Sequence, residues 1–94
     1  MAQAFTPLFE LGRTVMTRAV EAHVCSGAIN PVSVLRRHIT GDWGNLSEDD
    51  KRLNDSSIKD GRLMSAYEIN PQLTLWVITE WDRSATTLLL PSEY

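Results

Sequence analysis

The chain closes on LTLWVITEWDRSATTLLLPSEY, Leu73 to Tyr94, and this stretch decides the fold. LTLWVITEW, Leu73 to Trp81, is dense in β-branched and aromatic residues, which suit a pleated, half-buried surface. SATTLLL, Ser84 to Leu90, repeats that character until Pro91 ends it. Between them, Trp81-Asp82-Arg83-Ser84 reads as a turn, because Asp and Ser side chains hydrogen-bond nearby backbone groups. Working back, RLMSAYEI, Arg62 to Ile69, alternates: Leu63, Ser65, Tyr67 and Ile69 share one face, Met64 and Ala66 the other. Asn70-Pro71-Gln72 is a turn signal. Three strands with short connections predict an antiparallel meander. Trp76 falls with Ile78 on one face of its strand, and Trp81 with Val77 and Thr79 on the other.

The residues before this meander carry helical spacing. Residues 1–7 read as an extended arm ending at Pro7. LFELGRTVMTRAVEAHV, Leu8 to Val24, places Leu8, Leu11, Val15, Ala19 and Ala22 at steps of three and four and predicts a first helix. Gly12 weakens its start, and Gly27 lies in the break after it. Asn30-Pro31 is a start signal, a capping side chain followed by proline, and a short helix over Pro31 to Ile39 follows from it. Ser47 with Asp50 three residues later forms a short acidic capping box and opens a third helix through Asp60. Glu48, Asp49 and Asp50 favour the positive end of its dipole, and Gly61 is placed for a left-handed C-cap. Helices first and strands after imply one α+β domain over residues 1–94, with three helices covering one face of a three-stranded sheet.

Composition bounds the function. A chain of 94 residues buries roughly 60–65% of its unfolded surface, enough for one small core. The net charge of −3 argues against broad binding to nucleic acid, for which Arg13, Arg18, Arg36 and Arg37 are the candidate basic patch. The lone Cys25 fits a reducing cytoplasm and reads as a small buried hydrophobe. No apolar run approaches the roughly 20 residues a membrane span needs. The N-terminus lacks the pattern of a signal peptide. A cytoplasmic protein without membrane association is expected. His23 and His38 lie far apart, and one cysteine does not complete a zinc site. Asp49, Asp50 and Asp55 lack calcium-loop spacing, and GDWG frames an acid that repels phosphate. No cofactor or metal is expected.

The segments RHITGDWGNLSEDDKRLND, GRLMSAY and WVITEWDRSATTLLLPSEY form a recognisable pattern. It runs through Arg37-His38, Gly41-Asp42-Trp43-Gly44, Asp50, Asn54, Ser65, Tyr67, Trp76, Ile78-Thr79-Glu80, Asp82-Arg83, Thr86-Thr87, Leu89-Leu90-Pro91 and Tyr94. With it the last two-thirds of the chain resembles a family of small plasmid-related proteins found on plasmids, integrative elements and phages. Trp81 stands at the variable position inside the TE-x-DR element. The resemblance brings no catalytic activity with it. It implies a mobile-element setting, in which small proteins serve element maintenance or inhibit host defence, as anti-CRISPR and anti-restriction proteins do.

Two classes of function compete for the polar residues. A small enzyme would centre on His38 with Asp42 and Glu80, since a histidine beside a carboxylate suits acid–base chemistry. Its nucleophile would have to be Ser84, Thr86 or Cys25, and none sits in an activating motif. A non-enzymatic interaction module needs only an exposed anchor, and tryptophan and arginine are favoured ones. The expected surface joins the loop at Asp42 and Trp43 to Glu80, Trp81, Asp82 and Arg83. Its expected partner is a host or element-encoded protein. An open sheet face or edge also invites a homodimer.

Overall fold

Thr17 changes how the first third of the chain is built. In the computed structural model, which describes residues 6–94, the Thr17 hydroxyl accepts a hydrogen bond from Val20 N–H at 3.2 Å and caps a helix, α1, over Arg18–Cys25. The residues before it form a strand, β1, over Arg13–Met16. The single helix expected over Leu8 to Val24 is therefore corrected to a strand followed by a shorter helix. Apolar spacing over Arg13–Met16 satisfies either period, and the partner strand decides. That partner is β4 (Ala85–Leu89), which β1 joins in parallel, Arg13 against Ala85 and Met16 against Leu88. Of the arm expected over residues 1–7, residues 1–5 lie outside the described residues, and residues 6 and 7 are in neither helix nor strand.

The other two helices start where expected. Asn30 caps α2 (Pro31–Ile39) by accepting from Ser33 N–H, and Ser47 caps α3 (Glu48–Ser57) by accepting from Asp50 N–H. Helix α3 ends three residues early. Gly61 does not adopt the left-handed cap; it packs instead against Ser57, where a Cβ would lie 2.5 Å from the Ser57 Cβ.

Strands β2 (Leu63–Asn70) and β3 (Leu73–Thr79) and then β4 form the antiparallel meander read from the sequence. With β1 the sheet has four strands in the order β1-β4-β3-β2, so it is mixed, and the three-stranded antiparallel sheet is corrected. The missing strand has a plain cause: it pairs with residues at the far end of the chain, a relation that local periodicity does not carry.

The core lies on the face of Tyr67, Leu75, Val77 and Leu88, all without solvent exposure, and Val20 of α1, Val34 of α2 and Ile29 between them complete it. Each such buried Leu or Val contributes about 1.5–3 kcal/mol over the exposed state. On the opposite face Ala66, Ile78 and Leu89 are buried, and Tyr94 returns to meet Trp76 edge-on at 5.5 Å. Arg62 holds Tyr94 there, donating to its hydroxyl at 2.6 Å.

The outer edge of β2 is sealed. Asn54 of α3 bonds both backbone groups of Met64, donating to its carbonyl at 2.7 Å and accepting from its N–H at 3.2 Å. Ala66 donates to Trp43 O and accepts from Asn45 N–H, and Glu68 N–H donates to the Asn45 side chain. Such an edge offers no free strand to another chain.

Gly12 makes a close turn, with φ +64°. A Cβ there would lie 2.2 Å from the Arg83 carbonyl oxygen, a backbone atom with no freedom to yield. Gly27 has φ +84° but open space around it. Gly12→Ala is expected to cost at least about 2 kcal/mol more than Gly27→Ala, which bears only the left-handed penalty. Urea denaturation of the two variants measures the difference.

Candidate functional site

The turn after β3 is fixed by its own side chains. Glu80 N–H donates to Ala85 O at 3.0 Å, Arg83 N–H to Glu80 O at 2.9 Å, and the Asp82 carboxylate accepts from Ser84 N–H at 3.0 Å. The bonds to Ser84 hold the Asp82 carboxyl below the usual carboxylate range. Arg83 stands in the left-handed region at φ +61°, uncommon for a side chain of its size. Its guanidinium accounts for the conformation. Nη2 donates to Ser57 O at 3.0 Å and Ile58 O at 2.7 Å. Nη1 donates to Gly61 O at 2.5 Å and Glu80 O at 3.0 Å, with Trp81 O at 3.3 Å. The last carbonyls of a helix lack partners inside it, and a cation is favoured at that end. Arg83 is thus the C-terminal cap of α3, supplied from another loop. With its neighbours pinned, Trp81 projects outward and is 68% exposed.

The second loop turns inward. Trp43 is 3% exposed, and its indole N–H donates to Asp55 at 2.9 Å. Asp42 pairs with Arg37, at 2.7 Å to Nε and 3.3 Å to Nη2, and accepts from Gly44 N–H at 3.1 Å. Arg37 and that N–H hold the Asp42 carboxyl below its ordinary value. The Asp42 carbonyl takes the Tyr67 hydroxyl at 2.7 Å, and the Arg37 guanidinium lies 4.5 Å from the Tyr67 ring centre. Burial pushes the Tyr67 hydroxyl up to about 12.

Phe9 joins the two loops. It stacks on Trp43 at 6.1 Å, meets His38 edge-on at 5.2 Å, and lies 5.6 Å under the Arg83 guanidinium. Sequence reasoning missed it, since its partners His38, Trp43 and Arg83 all lie far along the chain.

His38 sits beneath them with no exposed surface. Its Nδ1 lies 2.6 Å from Ser65 Oγ and its Nε2 2.9 Å from Thr79 Oγ1. Thr79 Oγ1 lies 2.7 Å from Thr86 Oγ1, which donates to the Leu11 carbonyl at 2.7 Å. The carbonyl is an acceptor only, and this sets the direction of the bonds from it back to Nε2. Thr86 spends its one proton on Leu11, so Thr79 donates to Thr86, and Nε2–H donates to Thr79. The enclosed ring is neutral at ordinary pH, so its one proton is on Nε2 and Nδ1 accepts from Ser65. Burial, with Arg83 nearby, lowers its pKa to about 3.

The expected site residues thus divide. Trp81 and Asp82 face solvent, Glu80 is half-buried, Asp42 is exposed but paired, and Trp43 and Arg83 are turned into the fold. The acid–base alternative loses its geometry. His38 is sealed with both nitrogens occupied, and among the described residues no hydrogen bond joins it to Asp42 or Glu80. The candidate basic patch is spread over β1, α1 and α2, with Arg37 committed to Asp42. Cys25 is exposed, not the buried hydrophobe expected. Among the described residues, no group of three His, Cys, Asp or Glu side chains is placed to hold a metal ion, and no helix is long and apolar enough to cross a membrane. Comparisons with protein-family models, curated proteins and solved structures find no match.

The linkage of His38 has a definite sign. Its folded pKa, about 3, lies below the ordinary 6.5, so the unfolded chain binds the proton more readily. Its contribution is complete above pH 6.5 and is lost as pH falls from there toward 3, with a slope of up to about 1.4 kcal/mol per pH unit. Nitrogen NMR is expected to show the Nε2–H tautomer unchanged at pH 5, with the urea midpoint falling across the same range. Arg83→Ala loses the cap while keeping a Cβ in the left-handed region, for a cost of about 3 kcal/mol. Arg83→Gly is expected to recover about 1 kcal/mol of that, since glycine accepts φ +61° without strain. Paired denaturation curves separate the two contributions.

Proposed function

We propose that this chain is a non-enzymatic protein-interaction module whose contact centre is the turn from Glu80 to Arg83. The observation that carries this is Trp81: a large aromatic, 68% exposed, on a turn whose neighbouring residues are hydrogen-bonded in place. A solvated tryptophan gains most when a partner covers it, and a rigid turn has little conformational freedom left to lose on binding. Asp82 beside it supplies an exposed charge for register. The resemblance to small plasmid-related proteins supports a host or element-encoded protein as the partner, and an inhibitor of a host defence system is the specific form we favour. The enclosed His38 speaks against the enzyme alternative.

Trp81→Ala is expected to change folding stability by less than about 0.5 kcal/mol, because the ring packs against little, and to weaken partner binding by at least about 2 kcal/mol. Tagged parent, Trp81→Ala and Val32→Ala proteins would be compared by affinity capture from a bacterial host lysate, after each is shown to fold. Val32 is equally exposed on α2 and serves as the control. A protein held by the parent and by Val32→Ala but lost from Trp81→Ala supports the proposal. Retention by all three, or by none, overturns it.

A further inference from the structure

The two edges of the sheet are treated differently. On β2 the outward backbone groups at Met64, Ala66 and Glu68 are engaged by Asn54, Trp43 and Asn45. On β1 the ladder to β4 runs through alternate residues: Arg13 N–H donates to Ser84 O at 3.0 Å, and Thr17 N–H to Leu88 O at 3.1 Å. Alternation then turns the N–H and C=O groups of Thr14 and Met16 away from the sheet. Among the described residues, no strand or bridge lies on that side.

The side chains define what fits there. Met16 packs against the core, so Arg13 and Val15 share the opposite face of the strand, and both are exposed. Arg18, exposed at the start of α1, adds a second cation just past the strand. A second copy paired at this edge would bring two Arg13 and two Arg18 side chains to one seam. An acidic segment from a different protein meets no such repulsion, and its charge complements Arg13.

We propose that the outer edge of β1 takes an extended segment of a partner protein as a fifth strand, with an Asp or Glu beside Arg13 and an apolar residue two positions away beside Val15. Backbone bonds to Thr14 and Met16 supply the pairing, and the two side-chain positions supply the selectivity. The proposal does not depend on Trp81.

The probe is a displayed library of random linear peptides selected on the intact chain, with enriched peptides remade and measured by fluorescence polarisation. Thr14→Pro removes one outward N–H and leaves the ladder to β4 intact, since proline is tolerated where an edge N–H faces solvent. The expected result is enrichment of peptides with an acid two positions from Val, Ile or Phe. Affinity should fall at least about tenfold in Thr14→Pro and in Arg13→Glu, and a Lys-for-acid peptide should restore binding to Arg13→Glu. Should Thr14→Pro not fold, the Arg13→Glu charge swap decides alone. No enrichment, enrichment of basic peptides, affinity unchanged in both variants, or a dimer that Arg13→Glu alters each overturns the proposal.

Discussion

One neutral imidazole organises this small core. His38 comes from α2, Ser65 from β2, Thr79 from β3 and Thr86 from β4, and the bonds end on the carbonyl of Leu11 just before β1. A buried polar group without a partner costs free energy, so a chain of this kind stabilises the fold only when every member is satisfied. Here each is, because the chain terminates on an acceptor. The network ties one helix to all the sheet's later strands and to the entry of the first, which sideways packing of apolar groups does not do with the same directionality.

Much of this was legible in the sequence, and the limits have physical causes. The meander was readable because β-branched runs, alternation and turn residues are local. The caps of α2 and α3 were readable because Asn30 and Ser47 act on residues three positions away. The strand at Arg13–Met16 was not, because four residues fit either period and their partner lies at the other end of the chain. The premature end of α3 was hidden for the same reason: its cap comes from Arg83. Near the expected site, the two loops were readable as breaks between elements, because Gly, Asp and Ser mark them. The direction in which each side chain points was not readable, since Trp43 and Trp81 look alike in a string of letters and differ wholly in exposure.

Many of the polar and aromatic residues between Arg37 and Tyr94 bond within the fold. Arg37 pairs with Asp42, Asn54 seals β2, Ser65, Thr79 and Thr86 surround His38, Arg83 caps α3, and Trp76 meets Tyr94. Trp81 stands apart from these, with its ring in solvent.

The parallel pairing of β1 with β4 also sets an order of events. Arg13 leaves the ribosome well before Ala85, its partner in the register. During synthesis β1 has no partner until β4, the last strand of the meander, has been made. Closing so long a loop carries an entropic cost, and contacts of this separation slow folding. The order of synthesis therefore leaves β1 unpaired until β4 has followed it.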